Sequence, residues 1–156
     1  MIFVLPVSIK PFLRNYLSHY CEIEPTLTVS HKNRYTSFLI NCLKPKTQIV
    51  AEDKKYTLGS NPNKLMLAIP EHYERNYGIN IGIRQQYWFN QFLQEDFIHQ
   101  MLTTIAPSLT GRKGELKAEL LKFREKYDIT EDDLPFKTLE KMWERNKFRM
   151  PKYRMN

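Results

Sequence analysis

Residues 83–105 read IRQQYWFNQFLQEDFIHQMLTTI, with neither Gly nor Pro. Apolar residues at 83, 87, 88, 89, 92, 93, 97, 98, 101, 102 and 105 recur at helical spacing, which predicts one long central helix with a broad apolar stripe. Tyr87, Trp88, Phe89, Phe92 and Phe97, with Tyr77 just upstream, carry most of that stripe as aromatic rings. It is wider than one helix face, so the rings are read as buried between layers, the alternative being a patch for a second subunit.

Upstream of this helix the pattern changes. Residues 47–58 mix β-branched, aromatic and polar types, and Gly59-Ser60-Asn61-Pro62-Asn63 is rich in turn formers. Leu65, Leu67 and Ile69 then alternate with Met66 and Ala68, so a hairpin of about 54–58 with 64–69 is expected. Ile79-Asn80-Ile81, between two glycines, suggests a third short strand. Nearer the start, Ile9, Phe12, Leu13, Tyr16, Leu17 and Tyr20 form one helical face over Ser8 to Tyr20, with Pro11 in the first turn where its missing N–H costs nothing. After a short β-prone run, Leu27-Thr28-Val29, Ser30 is the expected cap of a second helix carrying Tyr35, Phe38, Leu39, Cys42 and Leu43, and Pro45 ends it. The opening MIFVLPVSIK is an apolar stretch broken by Pro6 and followed by a lysine, which supports neither a membrane span nor a signal peptide.

Downstream, Ala106 to Gly114 reads as a loop. Leu116, Leu120, Phe123 and Tyr127 predict a helix, Thr130 with Asp133 a short helical start over about 130–134, and Phe136, Leu139, Met142 and Trp143 a final helix to about Lys147. Residues 149–156 are polar and interrupted by Pro151, and no ordered element is expected there. The predicted fold is a mainly α-helical α+β domain in which helices cover a small antiparallel sheet, followed by a C-terminal helical hairpin. Residues 1–106 form the core domain, 115–149 the hairpin and 150–156 a basic tail.

The 156 residues hold 24 Lys and Arg against 17 Asp and Glu, a formal charge of +7, and the partner such a surplus fits best is a polyanion. Cys21 and Cys42 are too few for a disulfide framework or a zinc ribbon and are expected to be reduced. The segment Leu120 to Arg145 reads as a helix, a tight turn closed by Ile129, and a second helix ending in basic residues, the sequence form of a helix-turn-helix. Two features count against it: no Gly occupies the turn, and Glu131, Asp132 and Asp133 lie where phosphate would come. A plain helical hairpin capping the core is the alternative. Phosphate contacts are assigned to Arg112, Lys113, Lys117 and the acid-free end with Lys147, Arg149, Lys152 and Arg154, and base reading to Lys137, Lys141 and Arg145. The end can equally be a solvated terminus. Gly111-Arg112-Lys113-Gly114 can present free backbone N–H groups to an anion or be a solvated loop.

Catalytic signals are sparse. Glu71-His72-Tyr73-Glu74-Arg75 is the densest titratable cluster, yet its members are sequence neighbours facing different ways, and His19, His31 and His99 are isolated. No metal site, cofactor or catalytic residue is assigned, and the chain is read as no enzyme. A small enzyme working through His72 and Glu74 would need a pocket gathering further polar groups.

The opening Ile9-Lys10-Pro11-Phe12-Leu13, the Leu65 to Glu71 stretch, and Phe123-x-x-x-Tyr127-Asp128-Ile129-Thr130-Glu131-Asp132-Asp133 with Thr138-Leu139 and Arg145 resemble a class of small uncharacterised proteins encoded by phages and mobile elements of Bacteroides-type bacteria. The ending is also distantly similar to the C-terminal helix-turn-helix of transcription activators from Mu-like phages. That resemblance implies DNA binding, as a dimer, in the regulation or mobility of the element. The expectation is therefore a non-catalytic nucleic-acid-binding protein, duplex DNA foremost. It would act in the cytoplasm of a bacterial host, or associated with the virion. The rival is a structural or assembly protein of the same kind of element that binds another of its proteins.

Overall fold

The structure is a computed structural model that describes residues 2–45, 58 and 63–154. It is a mainly α-helical α+β protein. The chain separates into two compact units, residues 1–93 and 94–156. The division falls inside the long helix, whereas composition placed it at the 106–114 loop. Among the described residues no helix is long and apolar enough to cross a membrane.

The first unit contains β1 (Ile2–Ile9), α1 (Pro11–Tyr20), β2 (Leu27–Thr28), α2 (Arg34–Cys42), β3 (Asn63–Pro70), α3 (Glu71–Tyr77) and the first turns of α4 (Ile83–Ile105). The sheet order is β1-β3-β2. β1 runs antiparallel to β3, with Leu5 opposite Leu67, and β2 runs parallel to it, with Leu27 also opposite Leu67. The sheet is thus mixed and not purely antiparallel, because α2 lies between β2 and β3 and a helical crossover delivers parallel strands. The first strand of the expected hairpin, 54–57, lies outside the described residues. The expected strand at 79–81 is reduced to one bridge between Asn80 and Lys44. There Gly78 has φ +105°, and a Cβ would meet the Lys44 carbonyl oxygen at 2.1 Å, so only glycine fits.

β1 is a strand that sequence reading missed, and the short helix α3, where only a titratable cluster was expected, is another such element. Val7 and Ile9, with Leu65, Leu67 and Ile69 of β3, face the core. Pro6 is compatible with this strand because of where it stands. Ser8, two residues on, turns its N–H away from β3 to Gln86 Oε1 at 2.9 Å, and its carbonyl accepts from Asn90 Nδ2 at 3.0 Å. Pro6 has the same outward parity, so the donor it lacks is one the sheet does not use. Asn90, fully buried, also accepts the Lys10 N–H at 2.9 Å, so two side chains of α4 stand in for a neighbouring strand along this edge. Since Ser8 and Ile9 belong to β1, α1 starts at Pro11 and not at Ser8; Phe12, Leu13, Tyr16 and Leu17 are its buried face. The cap of α2 is Asn33, whose side chain accepts from the N–H groups of Tyr35 and Thr36, not Ser30. Of the aromatic stripe, Phe89 and Phe97 are buried, but Trp88 is 49% exposed.

The second unit contains the remainder of α4, α5 (Glu115–Lys126), α6 (Phe136–Asn146) and a terminal segment wound into two 3-10 turns, Lys147–Arg149 and Pro151–Tyr153. Its core is Phe97, Ile98, Met101, Leu102 and Ile105 of α4, Leu120 and Phe123 of α5, Leu139 and Trp143 of α6, and Tyr127, Ile129 and Leu134 between the last two helices. Of the end expected to lack order, the described residues to Arg154 are held in place. Tyr153 meets the Trp143 ring edge-on at 5.6 Å, and Lys152 Nζ donates to the carbonyls of Ala106 and Leu109 at 3.2 and 3.0 Å.

Candidate nucleic-acid interface

The α5–turn–α6 segment is built without glycine. α5 ends in a Schellman arrangement: the Ile129 N–H reaches the Arg124 carbonyl at 3.2 Å and the Asp128 N–H the Glu125 carbonyl at 3.0 Å. Asp128 takes the left-handed position at φ 55°, where a short polar side chain is tolerated. Ile129, buried, closes the motif.

The three acids that argued against the interface have local tasks or lie beside it. Residues 131–133 form a turn, not the expected short helix. The Asp133 N–H donates to Thr130 Oγ at 3.2 Å, and Asp133 Oδ2 accepts from the Thr130 N–H at 3.4 Å. Glu131 pairs with the Arg124 guanidinium and accepts the first N–H of α6, from Phe136, at 3.1 Å. The Arg124 hydrogen bond, reinforced by that N–H against a small desolvation cost, holds the Glu131 carboxyl below its ordinary range. Arg124 also donates to the Leu134 carbonyl at 2.9 Å, so one arginine ties α5, the turn and the start of α6.

α6 turns Leu139 and Trp143 inward. At 100° per residue, Lys137, Lys141 and Arg145 fall in one line on the opposite side, at i, i+4 and i+8. All three are exposed. Lys117 Nζ lies 5.8 Å from the centre of the Phe136 ring, which brings the first turn of α5 beside the start of this line.

The other candidate cations divide differently. Lys147 pairs with Glu144 at 2.9 Å, Arg149 with Glu95 at 3.0 Å, Lys152 is held by two carbonyls, and Arg154 donates to the Arg149 carbonyl at 3.4 Å. The acid-free end is thus engaged within its own unit. Arg112 and Lys113 are exposed in the loop before α5, but the Gly111 and Arg112 N–H groups, half of those read as an anion seat, already meet a carboxylate. Glu115 accepts from the N–H and the hydroxyl of Thr110 at 2.7 and 2.9 Å and from the Gly111 N–H at 3.0 Å. Sequence reading overlooked this carboxylate, although a Glu at the start of a helix just behind a Gly-flanked loop was the available signal.

Partial desolvation raises the Glu115 carboxyl, and the hydrogen bonds from Thr110, Gly111 and Arg112 outweigh it, leaving it below its ordinary value near 4.5. A depressed folded-state pKa means that the clamp is fully present above pH 4.5 and is lost as pH falls through the lower folded value. Amide hydrogen exchange should therefore show Thr110 and Gly111 losing protection on acidification before α5 does. Glu115→Gln should lose most of that pH dependence, and equal protection in both proteins at neutral and acidic pH would contradict the clamp.

His72 lines a shallow depression with Glu71, Arg75, Asn76, Ile2 and Pro70, in which Arg75 pairs with Glu71 at 2.7 Å; Glu74 is not among the lining residues. Among the described residues no group of three His, Cys, Asp or Glu could hold a metal ion. Comparison with protein-family models, curated proteins and solved structures finds no match. What fold and site define is thus a class of arrangement: an α+β protein whose three-helix second unit presents a cationic line on its last helix.

Proposed function

We propose that this chain is a non-catalytic nucleic-acid-binding protein of a phage or mobile element, and that its second unit holds duplex DNA through the outward face of α6. The observation that carries the reading is the Lys137, Lys141, Arg145 line. Like charges at i, i+4 cost a helix about 0.2–0.5 kcal/mol per pair, and α6 carries two such pairs in succession, offset in part by Glu140 three residues after Lys137, while Glu144 is held by Lys147 at 2.9 Å. An exposed helix face has no packing that requires them, so a polyanion that neutralises them is the natural return for that cost. Lys117, beside Phe136, extends the charge at one end, and Arg112 and Lys113 are exposed in the loop that precedes its helix.

The test is binding of the full chain to a labelled duplex across a salt series. Five phosphate contacts, from Arg112, Lys113, Lys117, Lys137 and Arg145, correspond to a slope of about −4.5 in log K against log salt. Absence of binding at low salt would overturn the reading. The rival, an assembly protein, is favoured by one observation: Ile2 and Val4, 63% and 55% exposed, leave an apolar strip on the outer face of β1. In that case the chain would self-associate or capture a partner with no dependence on Lys137, Lys141 and Arg145.

A further inference from the structure

We infer that α6 enters the major groove of B-form DNA and that Lys141 is the specificity-determining residue there, reading guanine. The inference rests on the nucleic-acid reading above and adds to it a groove, a helical form and a base.

Lys141 stands at the crest of α6. Leu139 lies two residues before it and Trp143 two residues after, so each is turned about 160° from it, and the bisector of the buried pair points directly away from Lys141. The residue farthest from the core is the first to reach the floor of a groove. Lys137 and Arg145 stand one turn to either side along the axis, each turned about 40° from Lys141 in opposite senses and so towards the two walls of the groove. They are therefore placed to meet phosphates at its margins while Lys141 meets base edges. Glu144, the neighbouring acid, is held by Lys147 at 2.9 Å. Both rings of α6 lie away from the crest: Trp143 is buried and Phe136 is half-buried with Lys117 over it. The crest itself thus offers no platform for stacking an unpaired base and suits a duplex, the exposed Phe148 ring lying beyond the end of α6 with Lys147 Nζ 5.3 Å over it. The deep, narrow major groove of A-form RNA does not admit a helix, which selects B-form DNA. Within its major groove a lysine ammonium finds its best partner in the O6 and N7 acceptors of guanine.

The experiment uses the full chain and duplexes of equal length and charge: one containing guanine, the same with 7-deazaguanine, which removes N7 and leaves every phosphate in place, and one of A·T pairs alone. The wild type should bind the guanine duplex about tenfold tighter than the other two. Lys141→Ala should bind all three alike, with circular dichroism unchanged. Lys137→Ala should weaken all three by one factor and keep their ratio. Equal wild-type affinity for the three duplexes, with a steep salt slope, would overturn guanine reading and leave phosphate binding standing. Absence of duplex binding at low salt would remove both. Tighter binding to an RNA duplex of the same sequence would overturn the B-form groove.

Discussion

Alanine at Lys137, Lys141 and Arg145 together is expected to lower duplex DNA affinity by about several hundred-fold at 0.1 M salt, from two phosphate contacts at about 0.9 in salt exponent each and one base contact of about tenfold. The thermal midpoint should stay level or rise slightly. The three residues are exposed, alanine is the best helix former, and the substitutions remove two like-charge pairs. That opposition of signs is the strength of the test, because a variant that binds poorly while melting at the wild-type temperature has lost an interface and not a fold. An unchanged salt slope would show that these residues do not contact the polyanion, and a fall in midpoint of several degrees would show that they serve the fold.

Trp143→Ala should act in the opposite way. The ring is 2% exposed and packs edge-on against Tyr153, and its removal is expected to destabilise the second unit by about 3–5 kcal/mol. In a domain of this size each kcal/mol moves the midpoint by about 4–8 °C, so the shift is readily measured by calorimetry. Tyr153 loses its partner as well, so the terminal 3-10 turns should loosen with α6. DNA binding should fall only in proportion to the unfolded fraction, and the salt slope of the folded fraction should be retained. A midpoint within a degree or two of wild type would mean that α6 is not held by this ring. Set beside the triple alanine variant, Trp143→Ala separates what positions the cationic line from the line itself.

Much of the helical structure was legible in the sequence because its signal is local. The stripe over 83–105, the face with Phe12, Leu13, Tyr16 and Leu17, and the Leu139 and Trp143 spacing each repeat within a few turns. β1 was not legible, because the permission for Pro6 comes from its outward parity on an edge strand and from Gln86 and Asn90, about 80 residues away. The connection between α5 and α6 was only partly legible. The absence of glycine counted against a helix-turn-helix, and the three acids stood where phosphate would come. Yet Asp128 takes the left-handed position, and Glu131 is occupied by Arg124 and the Phe136 N–H. At the candidate site, Lys137, Lys141 and Arg145 could be aligned from spacing alone. That Arg149 and Lys152 are engaged with an acid and carbonyls could not, since Glu95, Ala106 and Leu109 are distant in sequence, whereas the partners of Lys147 and Arg154 are three and five residues away.

Periodicity and composition by themselves determined the longer helical segments, their inward faces and the surplus of positive charge, since these depend on residue order within a turn or on simple counts. Tertiary structure alone decided that the chain opens with an edge strand, that the sheet is mixed, and that Arg149 and Lys152 are engaged within their unit. Each of these is a pairing between groups far apart along the chain, and which donor meets which acceptor is fixed only once the backbone has brought them together.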